Sequence, residues 1–469
     1  MGVGRKIIRG FLTLSTAEVV SKILFFLATI YLARTLGPAQ YGLISFALAL
    51  LTYFSLGANL GLDTLGIRTI ARNKAEVKTQ AQQILPLKFF LGLCSLLLLI
   101  LVLFLIDKPL AEKQLILLFA LSILPMTILI EWVFQGLERF ALVGWSRIIN
   151  NLFFVLAVVL FVKNAANIIY VPLFKLASLS LAGLFLFVNF WRSFGWLKLQ
   201  INVSAWKSLI RQSWPMGLYM IMGLVMANLD IVMLGFMRSN QEVGYYGAVY
   251  KFIGVWIVLI GAFLNIVFPV IAHFFTSSRP DFQRVVNQSI KLILIFALPI
   301  ALVGPLLADQ LIVIVFGGQY LAGSLAFRIL LWTMLPISLN SVIAWSLLAA
   351  NDEKKVIRIL LWQTIVNVGL NLVLIPIYGI AGAAVATFIS ELIGVLFYYQ
   401  TLKRHLQPNI SSYLIRQLLA AMVMMLLFSV LRGLTIYLLL PVAALTYFIC
   451  LILAGAISKD ELQRFAGYF

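Results

Sequence analysis

Long apolar stretches separated by short polar breaks run through the chain from end to end. A helix of about 20 residues crosses the hydrocarbon core of a bilayer, and the breaks divide the sequence into about fourteen stretches of that kind. The pattern therefore predicts an all-α polytopic membrane protein. The predicted spans are roughly 7–33, 41–64, 85–106, 114–136, 142–162, 168–191, 208–236, 244–275, 288–308, 322–350, 357–377, 380–402, 413–431 and 434–457.

The composition agrees with a membrane protein and gives no reason to expect a nucleic-acid partner, a metal or a cofactor. Hydrophobic residues make up 63% of the chain and charged residues 11%, whereas soluble domains carry about 25% charged residues. The net charge is +19, which the excess of Lys and Arg in cytoplasmic loops explains without a nucleic-acid partner. The two cysteines lie far apart in the sequence and the two histidines form no cluster, so we expect no disulfide, metal site or cofactor.

The distribution of basic residues orients the predicted spans. On the predicted topology 25 Lys and Arg residues are cytoplasmic, 6 are external and 4 lie within spans. This bias places both termini in the cytoplasm of a cell-membrane protein. It also places 67–83, a basic amphipathic stretch, at the inner face and 107–113 and 309–321 outside.

An internal repeat predicts two lobes. The sequence YLARTLGPAQYG at 31–42 corresponds to MLGFMRSNQEVGYYG at 233–247, and QGLERF at 135–140 corresponds to ANDEKK at 350–355. Six spans per repeat predict lobes related by a pseudo-two-fold axis along the membrane normal, with the substrate site between them. The predicted parts are an N-lobe at 1–200, a C-lobe at 201–405 and two C-terminal helices at 406–469.

Four basic residues within the spans are the candidate substrate-binding groups: Lys22, Lys175, Lys251 and Arg328. A charge at the centre of a membrane helix costs roughly 2.5–3.5 kcal/mol, so these side chains favour a wet cavity that receives an anionic cargo. The alternative for the last three is that they extend to the headgroups from near helix ends. The alternative for Lys22 is a structural pair with Glu18, four residues earlier.

Acidic residues within the spans are candidates for ion coupling or for charge partners. Asp230 and Glu391 are the candidates for proton or sodium coupling, with pairing to nearby bases as the alternative. Glu18 is assigned to the same group as the partner of Lys22. Asp63 and Glu131 lie near predicted cytoplasmic ends and are interpreted as helix caps or gate partners.

Three motifs resemble one known family. LARTLGPAQYGLISFA, GLDTLGIRTIARN and FQGLERF are similar to segments of polysaccharide-transporter flippases, a family within the multidrug/oligosaccharidyl-lipid/polysaccharide exporter superfamily. The resemblance implies a core of twelve helices in two lobes, here with two more. It also implies transport of an undecaprenyl-pyrophosphate-linked oligosaccharide from the inner to the outer leaflet. Membrane lipids and polysaccharide assembly proteins would be its other partners.

The sequence therefore predicts a flippase that works by alternating access and is not an enzyme. The chain contains no Walker motif, so an ion gradient or the membrane potential would drive it. One alternative is a multidrug exporter of the same superfamily, whose usual cationic cargo a basic lumen would repel. The other is a membrane glycan polymerase or ligase, which would need a larger external loop than 309–321.

Overall fold

The computed structural model describes the backbone of residues 3–406, 410–431 and 436–455. Both chain termini, and with them the predicted positions of the termini, lie outside the described residues, as does the end of the last predicted span. The described side chains begin at residue 16 and leave out 216, 218–222, 224–225, 410–413 and 436–440.

The described residues form helices and contain no strand. Nine of their helical stretches are long and apolar enough to cross a membrane, and shorter apolar helices accompany them. The prediction of an all-α multi-pass membrane protein is confirmed. The helices are α1 Val3–Asn59, α2 Leu62–Arg72, α3 Val77–Leu105, α4 Leu110–Ala120, α5 Ile123–Ile128, α6 Glu131–Gly136, α7 Phe140–Phe161, α8 Tyr170–Phe194, α9 Val203–Met237, α10 Asn240–Ser277, α11 Arg279–Val315, α12 Ser324–Ala349, α13 Glu353–Leu402, α14 Ile410–Val430 and α15 Ile436–Leu453.

Two of the long helices each contain two predicted spans. The backbone leaves the helical region at Gly37, with φ 78°, and at Gly379, with φ 57°. Glycine adopts positive φ without steric penalty, and Pro38 follows Gly37 as a residue that starts a helix readily. Both interruptions fall at predicted boundaries between spans.

The fourth predicted span differs from expectation because it is not one helix. Its place is taken by α4, α5 and α6, and Leu129 between the last two is extended, with φ −69° and ψ 114°. Pro125 in α5 has no N–H to donate to the carbonyl of Leu121, the residue after the end of α4, so the helix is interrupted there. The second interruption starts α6 at Glu131, whose carboxylate belongs to the site described below.

The chain forms two compact units, residues 1–244 and residues 245–469. In the first unit α9 packs against α1, α2 and α3. The predicted lobes and their boundaries stay a prediction.

The half of α1 before Gly37 packs against α7 in the first unit, and the two run parallel. The rings of Phe25 and Phe154 stack with centroids 6.4 Å apart. Further along both helices, the Tyr31 hydroxyl donates to the carbonyl of Val162 at 2.8 Å. Two parallel neighbours are what the predicted topology requires of the first and fifth spans.

The first of the three family motifs, LARTLGPAQYGLISFA, lies where the second half of α1 meets the start of α10. A Cβ atom on Gly42 would lie 1.7 Å from the carbonyl oxygen of Asn240. Asn240 also donates to Glu112 Oε1 at 2.7 Å. Glycine at position 42 therefore allows two backbones to touch.

In the second unit α11 packs against α12 and α14, and α14 packs against α15. Gln417 of α14 donates to the carbonyl of Lys291 at 3.0 Å, and Tyr447 of α15 donates to that of Ile295 at 2.9 Å. Ile295 lies four residues before Pro299, which cannot supply the usual helical donor.

The turn after α6 is fastened to the end of α8. Glu138 has φ 60°, and the next residue, Arg139, donates to Ser193 Oγ at 2.9 Å. Its guanidinium carbon also lies 5.9 Å from the centre of the Phe194 ring. The cation thereby joins two helix ends within the first unit.

The corresponding turn in the second unit uses an anion. Asn351 has φ 59°, and the next residue, Asp352, lies 2.5 Å from His405 Nε2 and 2.8 Å from Lys355 Nζ. Burial of this carboxyl favours its neutral form, but the hydrogen bonds from Lys355 and His405 outweigh that effect and lower the pKa of Asp352. The ionised carboxylate therefore connects the turn before α13 with the first turn of that helix, through Lys355, and with the segment just after its end, through His405.

Candidate functional site

Four charged side chains from α1, α6 and α7 form one network in the first unit. Lys22 Nζ lies 2.9 Å from Glu18 Oε1, and Arg147 Nη1 lies 3.8 Å from Glu18 Oε2. A different edge of the guanidinium contacts Glu131 Oε2, through Nη2 at 2.9 Å and Nε at 3.0 Å. Glu18 and Lys22 are one helical turn apart on α1 and lie on the same face of that helix.

Lys175 of α8 contacts the same face of α1, about two helical turns beyond Glu18. Its ammonium lies 5.8 Å from the centre of the Phe25 ring and 5.6 Å from that of Phe154. No described carboxylate lies within ion-pair distance of it. The two rings stabilise the cation through their π faces and leave its charge uncompensated.

A second ion pair lies deeper in this unit. Lys88 Nζ is 2.6 Å from Asp63 Oδ1, with the Lys88 side chain 3% exposed and that of Asp63 32% exposed. Asn59 donates to the other carboxylate oxygen at 2.8 Å. Asp63, interpreted from the sequence as a cap or gate partner, is the counter-ion of a buried base.

Asp230 is buried in α9 of the first unit, as the sequence predicted for a residue deep in a span. Tyr53 of α1 lies within its electrostatic range. Its proposed part in ion coupling stays a prediction.

The two predicted bases of the second unit have different surroundings. Arg328 Nη2 lies 2.8 Å from Asp309 Oδ2, and both side chains are about half exposed. Ser324 donates to the same carboxylate. An anion would have to compete with Asp309 for Arg328. Lys251 is half-buried in α10.

Glu391 belongs to a buried polar layer between α12 and α13. Asn340 donates to its carboxylate at 2.6 Å and to its backbone oxygen at 2.9 Å. The layer continues through three amides spaced every four residues on one face of α13, Gln363, Asn367 and Asn371, all of them buried. Asn371 donates to Asn367 Oδ1 at 3.0 Å, and Asn367 donates to Ser390 Oγ at 3.3 Å.

Of the seven predicted site residues, the structure pairs Glu18 with Lys22 and places Lys175 over Phe25, further along the same face of α1. A lumen shared by all four predicted bases stays a prediction. Sequence reasoning missed Arg147 and Lys88, which it counted as cytoplasmic, and assigned Glu131 to a cap or gate. The signal was present, because Arg147 falls inside the predicted span 142–162 and Lys88 inside 85–106. Among the described residues, no three His, Cys, Asp or Glu side chains are placed to hold a metal ion.

A family described as "Polysaccharide biosynthesis protein" matches residues 7–275, more than half of the chain. The chain belongs to this family. The match includes the whole charged network of the first unit and all three motifs that suggested the resemblance, which is thereby confirmed.

The chain is also similar to a relative described as a probable flippase. It is 27% identical over 164 residues to the probable low-salt glycan biosynthesis flippase Agl15 of Haloferax volcanii, and the match spans 34% of each chain. It therefore matches about a third of that relative's length.

Solved structures share the fold over nearly the whole chain. The lipid II flippase MurJ in an inward closed conformation superposes with a TM-score of 0.78 at 16% identity, covering 96% of this chain and 99% of that one. An inward-facing multidrug resistance MATE family transporter of the MOP superfamily gives a TM-score of 0.63 at 13% identity, covering 84% and 98%. The chain has the fold of these two proteins. Together with the family and the similarity to a probable flippase, this fold supports a transporter rather than an enzyme.

Proposed function

We propose that this protein is a flippase that moves a lipid-linked glycan across the membrane. The family, the similarity to a glycan biosynthesis flippase and the fold shared with MurJ support the proposal. One further observation carries the proposal. Three cations, Lys22 of α1, Arg147 of α7 and Lys175 of α8, lie along a single face of α1. Charged residues inside a membrane protein either pair with one another or mark a substrate pathway, and Lys175 has no described carboxylate within ion-pair distance.

The proposed cargo is an undecaprenyl-pyrophosphate-linked oligosaccharide, with the diphosphate as its anionic part. Lys175 is the main contact for this group because its charge is not neutralised by a carboxylate. Guanidinium and ammonium groups suit phosphate in different ways: arginine binds it through two parallel hydrogen bonds, and lysine through a mobile point charge. The polyprenyl chain would remain in lipid during transport.

The proposed mechanism is alternating access between an N-lobe at 1–200 and a C-lobe at 201–405, with 406–469 as an addition. An ion gradient or the membrane potential would drive it. Asp230 and Glu391 are the proposed coupling residues, since each is an acid held inside a membrane unit.

Reconstitution tests the cargo and the site together. Proteoliposomes containing a labelled lipid-linked oligosaccharide should lose the label from one leaflet, whereas a cationic dye should not move. Lys175→Met removes a charge-assisted contact worth about 1.5–3 kcal/mol, which corresponds to roughly ten- to hundredfold weaker binding. Lys198→Met, on an exposed loop residue, is the matched control. Dye transport without glycan flipping would instead indicate a multidrug exporter.

The proposed location is the cell membrane with both termini in the cytoplasm. Single cysteines at Asn73, Lys113 and Lys354 test it, in a background where Cys94 and Cys450 are replaced. We expect a membrane-impermeant thiol reagent to label position 113 in intact cells and the other two only after permeabilisation. Labelling of position 73 from outside would contradict the topology.

A further inference from the structure

Residues 195–202 connect α8 to α9 without forming a helix, and Asn202 is extended, with φ −128° and ψ 99°. Within 196–201 the described backbone makes one hydrogen bond, from the N–H of Gln200 to the carbonyl of Gln82 at 3.1 Å. Unpaired backbone groups are not tolerated in contact with hydrocarbon. The other peptide groups of this stretch therefore require water.

The side chains of the same segment require lipid. Leu199 is 61% exposed, Ile201 is 79% exposed, and Val203, the first residue of α9, is 72% exposed. Alternate residues of an extended chain lie on one face, so these three form an apolar face that no described part of the protein covers. Lys198 and Gln200 alternate with them, are also exposed, and belong to the opposite, polar face.

The start of the segment is fixed to the first unit. Leu197 is buried in a hydrophobic cluster that includes Leu209 of α9. The ring of Trp196 packs edge-on against that of Phe187 of α8, with centroids 6.4 Å apart, and remains exposed on its other sides. Tryptophan is enriched where a membrane meets water. A backbone that needs water and an apolar face that needs lipid are both satisfied at that boundary.

The chain on both sides of this segment carries positive charge only. The sequence contains no Asp or Glu between Glu138 and Asp230. Lys207 and Arg211 are exposed and lie four residues apart, on one face of the first turns of α9. A base at the membrane surface favours an anionic headgroup over a neutral one by roughly fivefold.

We propose that residues 195–203 lie in the headgroup layer of the membrane and that Lys207 and Arg211 bind an anionic phospholipid there. The apolar face of Leu199, Ile201 and Val203 enters the acyl chains, and the opposite face meets the water on the predicted cytoplasmic side. The phospholipid is a binding partner and not the cargo, so the inference does not depend on the proposed flippase function.

Spin labels measure the depth of the segment. Single cysteines replace Lys198, Leu199, Gln200 and Ile201 in a cysteine-free background, and the full-length protein is reconstituted in vesicles of phosphatidylcholine and phosphatidylglycerol. We expect labels at 199 and 201 to collide with oxygen, which dissolves in lipid, and labels at 198 and 200 to collide with a water-soluble nickel chelate. Equal access of nickel to all four positions means that the segment lies in water. Exclusion of both reagents from 199 and 201 means that protein covers the face, and either result overturns the inference.

Lipid selectivity beside α9 tests the headgroup. A fluorophore on Ser204→Cys, quenched by brominated phosphatidylglycerol or brominated phosphatidylcholine, reports the local preference between the two lipids. The wild-type segment should prefer phosphatidylglycerol, and Lys207→Gln/Arg211→Gln should reduce that preference at least roughly fivefold. Lys354→Gln/Arg358→Gln removes the same pair of charges, also exposed and four residues apart, from the first turns of α13, and should keep it.

The control separates a site from the overall charge of the protein. Equal losses of preference in both double variants mean that net charge attracts the lipid, and this overturns the inference. A wild-type protein without preference for phosphatidylglycerol at position 204, or a preference that Lys207→Gln/Arg211→Gln leaves unchanged, also overturns it. None of these results bears on glycan flipping, which the reconstitution assay with the labelled oligosaccharide measures separately.

Discussion

From the burial of the Lys88–Asp63 ion pair we predict that removing the acid destabilises the protein much more than removing the base. Asp63→Asn leaves an ammonium that is 3% exposed without a counter-ion. Breaking a buried pair in this way costs about 3–5 kcal/mol. Lys88→Met instead leaves a carboxylate that is 32% exposed and still accepts a hydrogen bond from Asn59 at 2.8 Å.

The carboxylate of Asp63 can recover part of its hydration, so we expect Lys88→Met to cost only about 1–2 kcal/mol. The double variant Asp63→Asn/Lys88→Met should be more stable than Asp63→Asn alone, because it no longer buries an unpaired charge. The two single effects should therefore not add.

Thermal unfolding of the purified protein in detergent, followed by tryptophan fluorescence, ranks the variants. The expected order of stability is wild type, Lys88→Met, the double variant and then Asp63→Asn, with the middle two close together. Lys74→Met is the control, since its pair with Glu138 is 3.6 Å long and about half exposed and is worth about 0–1 kcal/mol. Equal losses for both single variants, or a double variant less stable than Asp63→Asn, would refute the reasoning.

Three further changes test other parts of the structure by the same unfolding assay. Tyr447→Phe should lower the midpoint in the wild type but much less in a Pro299→Ala background, where the helix supplies its own donor; equal losses in both would contradict this. Gly42→Ala should sharply reduce the amount of folded protein, because its Cβ would lie 1.7 Å from a backbone oxygen; normal yield and stability would exclude the close approach. Asp352→Asn should lower the midpoint near pH 7. Folding lowers the pKa of Asp352, so its ionised carboxylate stabilises the protein at pH values above the ordinary Asp pKa of about 3.9. This stabilisation is lost as the pH falls through the pKa of Asp352 in the folded protein. The difference between the variant and the wild type should therefore vanish in acid.

Hydropathy predicted where the chain crosses the membrane because each crossing has to be apolar along its length, and this requirement is local in sequence. The breaks at Gly37 and Gly379 were foreseen for the same reason, since glycine next to a polar or proline-containing turn marks a span boundary. The interruption of the fourth span was not foreseen, because Pro125 alone does not distinguish a kinked helix from a divided one.

The site was less predictable because its contacts are made between helices. Sequence reasoning found Lys22 and Glu18, which lie one turn apart on a single helix. It could not find that Arg147 lies between Glu18 and Glu131, since that depends on α1 and α7 running parallel and on α6 beginning after an extended residue. Lys175 was found by its position in a span, but its two aromatic contacts depend on packing.

Tyr447 of α15 supplies a hydrogen-bond donor that α11 lacks. Pro299 leaves the Ile295 carbonyl without its donor, and an unsatisfied carbonyl in hydrocarbon costs several kcal/mol; the Tyr447 hydroxyl, 2.9 Å away, supplies the missing hydrogen. The proline is tolerated because the last helix is present. Over evolutionary time these two features can be lost in only one order without passing through a damaged intermediate: the proline first, and the C-terminal helices afterwards.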